Sequence, residues 1–153
     1  SDVYKRQIRG SSAGGYTVLS ALTKLTLFKT GACLYGIGDL QKLATDTHKF
    51  ESKYLDTLIG DPLNQQETYQ QRSPINHIDD IDCPVIFLQG LKDKVVPPSQ
   101  SQSMVDKLIQ KDIAVEYVTF KDEGHGFKKP KNIEVALTRE LLFYLNVLSL
   151  NQQ

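Results

Sequence analysis

Gly10-Ser11-Ser12-Ala13-Gly14-Gly15 decides how this chain is read. The run fits G-x-S-x-G, in which glycines beside a serine let a strand turn sharply into a helix with the hydroxyl at the strained apex. The flanks supply that context. Ile8-Arg9 before it is strand-like, and Tyr16-Thr17-Val18-Leu19-Ser20-Ala21-Leu22 after it is apolar enough for a buried helix. Ser12 is thereby the candidate nucleophile. A hydroxyl is a poor nucleophile near neutral pH, so it requires a base, and the base requires a group that fixes its tautomer.

Three histidines compete for the role of base. His48 lies in the polar connection Asp46-Thr47-His48-Lys49 and reads as a solvated surface residue. His77 lies in the proline-marked Ser73-Pro74-Ile75-Asn76-His77-Ile78 and reads as a structural hydrogen-bonding group. His125 stands between Gly124 and Gly126, just after the strand-like Val115-Glu116-Tyr117-Val118-Thr119-Phe120. Loops at strand ends are where open α/β sheets place their chemistry. The acid follows from the same logic. Pro84-Val85-Ile86-Phe87-Leu88 is a continuous apolar run, the mark of a strand buried on both faces. Asp93 projects from the loop at its carboxyl end, between Gly90 and Pro97. Asp79, Asp80 and Asp82 precede that strand at the opposite end. Asp39 and Asp61 read as a helix cap and a turn residue. Asp122 is too close to His125 along the chain to reach the far ring nitrogen. The resulting order, Ser12, Asp93, His125, is the order of α/β-hydrolases.

Composition removes several other classes. The chain has 153 residues, enough for one core but not for a complete hydrolase sheet with its helices. Lys+Arg and Asp+Glu both count 18, and no basic patch suggests nucleic acid. No apolar stretch approaches membrane-spanning length, and no lipidation motif is present. Cys33 and Cys83 sit in apolar surroundings without metal-ligand spacing, so they read as buried free thiols, and no metal or cofactor is expected. Apolar periodicity predicts helices over about 14–27, 39–43, 49–59, 67–72, 99–111 and 132–148, and strands over 30–35, 85–88 and 115–120. Met104, Leu108 and Ile109 are expected on the inner side of one helix. Ile133, Ala136, Leu137, Leu141, Phe143, Tyr144 and Leu148 are expected to fill another. Strands alternating with helices imply a parallel sheet with helices on both faces.

From about Ile8 to Leu148 the sequence resembles the catalytic domain of the prolyl oligopeptidase family of serine peptidases, and within it the branch of acylaminoacyl and related dipeptidyl peptidases. The resemblance rests on Arg9-Gly10-Ser11-Ser12-Ala13-Gly14-Gly15-Tyr16-Thr17, Tyr35-Gly36-Ile37-Gly38-Asp39-Leu40 and Arg72-Ser73-Pro74-Ile75-Asn76-His77, and continues through Cys83 to Pro98 and Gly124-His125-Gly126-Phe127. It implies the C-terminal half of an α/β-hydrolase fold over residues 8–150. The implied activity is serine peptidase action on short peptides through an acyl-enzyme on Ser12, with His125 as general base and Asp93 as orienting carboxylate. The backbone N–H of Ala13 is expected in the oxyanion hole. By position, Tyr35 and Val96 are candidates for the wall of the pocket holding the residue before the scissile bond. A peptide is the expected partner, no cofactor is expected, and the cytoplasm is the compartment the family suggests. An esterase or dienelactone-hydrolase-like enzyme, or a non-catalytic binding domain on the same scaffold, are the alternatives.

Two departures shape the expectation further. Ser1-Asp2-Val3-Tyr4-Lys5-Arg6-Gln7 resembles a translated sequencing adaptor, so residues 1–7 read as non-native and the chain as a piece of a longer enzyme. The β-propeller and first sheet strands that family members carry upstream, with the second oxyanion donor, do not occur in the sequence. Nearly inactive is therefore the expectation for the isolated chain.

Overall fold

A computed structural model describes residues 6–46 and 52–148. His48, the first residues of the helix expected from Lys49, and residues 1–5 of the adaptor-like segment lie outside the described residues. Four parallel strands, β1 (Gln7–Ser11), β2 (Thr30–Leu34), β3 (Val85–Gly90) and β4 (Val115–Phe120), stand in the order β1-β2-β3-β4. Every residue of β2 and β3 is buried, which is why these segments are continuous apolar runs rather than alternating ones.

A sheet that adds each strand on the same side, with right-handed crossovers, carries its connecting helices on one face. Helices α1 (Ala13–Lys24) and α5 (Ser99–Gln110) obey this: Val18, Leu19 and Leu22 join Met104, Val105 and Leu108 against Cys33, Val85 and Phe87. The last helix, here numbered α6 (Pro130–Val147), covers the opposite face, where Ala136, Phe143 and Tyr144 pack on Ala32, Leu34, Ile86 and Leu88. Helices thus lie on both faces, as expected. A polar network also ties α6 to β1. Glu140 Oε1 accepts from Arg9 Nε at 2.8 Å and from the Tyr144 hydroxyl at 2.9 Å. Burial, and then the Glu140 carboxylate, push the Tyr144 phenol well above its ordinary range.

The connection between β2 and β3 holds α2 (Leu40–Asp46), α3 (Ser52–Leu58), α4 (Gln66–Arg72) and a 3₁₀ segment, Pro74–Asp80. Asp39 caps α2 as expected, its Oδ1 accepting the Lys42 N–H at 2.9 Å. Two buried side chains lash this connection down. Gln100 Oε1 accepts the N–H groups of Gly38 and Asp39 at 3.0 and 2.8 Å. Ser73 Oγ accepts the Leu40 N–H at 3.0 Å and donates to the Tyr69 carbonyl at 2.6 Å.

Three expectations need correction. Strand β3 runs on to Gly90 instead of stopping at Leu88, because Gln89 and Gly90 pair with Thr119 and Phe120. Helix α1 ends at Lys24, since Leu25 turns to extended backbone, and Leu25 and Leu27 are exposed. Ile109 faces outward, as do Ile133, Leu137 and Leu141. Both helices carry apolar residues beyond one face, so periodicity alone pointed too many of them inward. Cys33 and Cys83 are free and buried, and burial pushes their thiols up to about 12 and about 11. Among the described residues no helix is long and apolar enough to cross a membrane.

Candidate active site

All strands run the same way, so the loops after β1, β3 and β4 meet at one rim. Ser12 closes β1 with its N–H on the Leu34 carbonyl at 2.9 Å and its backbone at φ 55°, ψ −119°. A non-glycine residue at positive φ is strained and is held only when its surroundings leave no alternative. Steric exclusion supplies that constraint. A Cβ on Gly10 would lie 2.3 Å from the Gly14 carbonyl oxygen, and one on Gly15 would lie 2.6 Å from Gly36 Cα. Gly14, the second glycine of the pattern, has open space where a Cβ would go. A second close approach therefore falls on Gly15, one residue past the motif, against Gly36 in the loop after β2.

His125 brings the other two together. Its Nε2 lies 2.9 Å from Ser12 Oγ and its Nδ1 lies 2.8 Å from Asp93 Oδ2. A carboxylate only accepts, so Nδ1 carries the proton and Nε2 is free to receive one from the hydroxyl. The Asp93 side chain is fully buried while the imidazole is 24% exposed. Asp93 Oδ1 takes the N–H groups of Val95 and Val96, each at 2.9 Å. Tyr35, itself at φ 38°, sets its ring edge-on to the imidazole with centroids 5.0 Å apart. Ala13 occupies the first position of α1, where a helix leaves its N–H groups without intrahelical partners.

The sequence reading missed Glu123. Its buried carboxylate accepts the N–H groups of Lys128 and Lys129 at 3.1 and 2.9 Å and the Asn132 amide at 2.9 Å. Its carbonyl accepts the Lys92 N–H at 2.9 Å, so one residue joins the His125 loop to the Asp93 loop. The Asn132 and Lys129 donors hold the Glu123 carboxyl below its ordinary range. Asp122 pairs with Lys129 and Asn132 rather than with His125, as its nearness in sequence implied. His77 Nε2 lies 2.7 Å from the Gln71 carbonyl, away from Ser12 and Asp93.

Beside Ala13 opens a largely apolar cavity of about 290 Å³, lined by Tyr16, Ile37, Leu40, Leu55 and Arg72 among others. Tyr35 and Val96 are not among the residues that line this cavity. Tyr35 packs on His125 and Phe127, and Val96 is 2% exposed. Among the described residues no group of three or more His, Cys, Asp or Glu side chains is arranged to hold a metal ion.

The profile of the prolyl oligopeptidase family matches residues 2–151. The chain belongs to the prolyl oligopeptidase family. Dipeptidyl aminopeptidase BIII of Pseudoxanthomonas mexicana is 34% identical over 131 residues, which cover 82% of this chain and 19% of that protein. The solved structure of a Mycobacterium tuberculosis puromycin-hydrolyzing peptidase superposes with a TM-score of 0.93 at 44% identity, covering 97% of this chain and 22% of that one. Pyrococcus horikoshii acylaminoacyl peptidase superposes at 0.76 with 28% identity, over 82% of this chain and 21% of that one. The chain thus spans about a fifth of the length of these relatives.

Proposed function

We propose that this chain carries the acyl-transfer centre of a serine peptidase acting on short peptides. The observation that supports it most is the single imidazole bonded to the Ser12 hydroxyl on one side and the Asp93 carboxylate on the other. In this reading a lone pair on Ser12 Oγ attacks the scissile carbonyl carbon while His125 Nε2 takes the Oγ proton. The carbonyl oxygen becomes an oxyanion that the Ala13 N–H receives. As the tetrahedral intermediate collapses, the C–N bond breaks and the leaving amine takes the proton from Nε2. Water then attacks the acyl ester by the same route, returning the proton to Oγ. Asp93 keeps Nδ1 protonated throughout.

The apolar cavity beside Ala13 supports a preference for an apolar residue before the scissile bond. Two free buried thiols fit a reducing compartment, and we place the protein in the cytoplasm. In the full-length protein that carries this chain, Ser12→Ala is expected to cut turnover of an aminoacyl amide by about a thousandfold or more. Unchanged turnover would refute the reading. An esterase needs the same three side chains. A matching ester and amide assayed side by side separate the two, because a peptidase turns over both and an esterase only the ester.

A further inference from the structure

We propose that Gln89, held by Ser101, is a positioning residue for the Asp93–His125 pair. The proposal rests on the acyl-transfer reading of the site. Gln89 is the fifth residue of β3 and fully buried, at a place where the strand is otherwise apolar up to Gly90. Its Nε2 faces three oxygens: the Gly90 carbonyl at 3.1 Å, Asp93 Oδ2 at 3.3 Å and the Val96 carbonyl at 3.4 Å. Its Oε1 accepts from the Ser101 hydroxyl at 2.8 Å, and Ser101, on α5, is 1% exposed.

These partners fix which way the amide points. Turned over, Oε1 would confront three oxygens, two of them carbonyls and one a carboxylate, none able to donate. Only the observed orientation satisfies both ends, and the Ser101 hydroxyl anchors it. The N–H end therefore faces the Gly90 carbonyl at 3.1 Å and, at 3.3 Å, Asp93 Oδ2, the same oxygen that receives His125 Nδ1–H at 2.8 Å. With Oδ1 occupied by the Val95 and Val96 N–H groups, the carboxylate is held on both oxygens and cannot rotate away from the imidazole. Burial of Gln89, Ser101 and the Asp93 side chain leaves no ready water to substitute for a lost donor. Gln89 touches no reacting atom. It acts on Ser12 through the aim of Asp93 and the hold of Asp93 on His125.

The test uses Gln89→Met, which keeps the length without the amide, Ser101→Ala, and the double variant, in the full-length protein. Phosphonylation of Ser12 by a fluorophosphonate is split into probe affinity and the first-order modification rate. The Nδ1–H proton of His125 is followed by NMR. Gln89→Met is expected to slow modification about tenfold and Ser101→Ala about threefold, with probe affinity unchanged. The double variant should be no slower than Gln89→Met, because both act along one line of bonds. The Nδ1–H resonance should move or broaden in both single variants. Modification rates within twofold of wild type, an unmoved resonance, or losses that multiply in the double variant would each overturn the proposal. Should Gln89→Met fail to fold by circular dichroism, Ser101→Ala decides by the same criteria. Should the wild-type protein resist the probe, the acyl-transfer reading falls by itself. The resonance then decides the positioning claim: a shift supports it and no shift overturns it.

Discussion

At Ser12 the backbone is set by what is missing. Gly10 and Gly15 leave out the Cβ atoms that would strike Gly14 and Gly36, and the strained serine follows from that close packing. At Asp93 and His125 the loops are set by what is present. Glu123 gathers two backbone N–H groups and an amide, while the Asp93 carboxylate gathers two backbone N–H groups, the Gln89 amide and the imidazole. One half of the site rests on steric exclusion and the other on polar satisfaction. The two should therefore fail differently, the first with the whole domain and the second locally.

The largest effect is expected at the elbow. Gly10→Ala forces a methyl into a backbone contact that cannot yield, at a cost of about 2–3 kcal/mol. That corresponds to a fall in Tm on the order of 5–10 °C for a chain of this size. Gly14→Ala meets nothing within 4 Å and should be neutral or stabilising by about 0.5–1 kcal/mol through helix propensity. Equal losses at both positions in thermal melts would break the steric account of the elbow.

A smaller and more local effect is expected in the His125 loop. Glu123→Ala should lower hydrogen-exchange protection of the Lys128 and Lys129 amides about tenfold while the sheet amides stay protected. The pH dependence follows from the sign of the shift. Glu123 sits below its ordinary value, so its contribution is complete above about pH 4.5 and is lost as pH falls through the lowered value. Protection factors at Lys128 and Lys129 should therefore drop on acidification in the wild type and be insensitive to it in Glu123→Ala. A uniform loss of protection throughout the domain would erase the distinction between the two halves.

The same division explains what the sequence made legible. Ser12, Asp93 and His125 could be picked out because each follows a strand-like run and lies within three residues of a glycine, a local pattern that needs no knowledge of contacts. Central strands β2 and β3 were legible because burial on both faces leaves an unbroken apolar run. Gly15 escaped because the motif ends at Gly14, and its need arises only where Gly36 approaches from another strand end. Gln89 on β3 and Ser101 on the crossover helix meet only once that helix packs on the sheet, and Glu123 looks like any turn carboxylate until Asn132 is brought over it. For Gln89 one signal was available: a polar residue closing an otherwise apolar strand must find buried partners. The exposed leucines of α6 were misplaced for the opposite reason, since a helix apolar around much of its girth gives periodicity no single face to choose.

The most direct check on the account is to map where a fluorophosphonate attaches in the full-length protein, in wild type and in His125→Ala. One adduct is expected, on Ser12 Oγ, formed at a rate that falls by at least about a hundredfold when the imidazole is removed. An adduct on a different residue, or modification of Ser12 at an undiminished rate in His125→Ala, would contradict it.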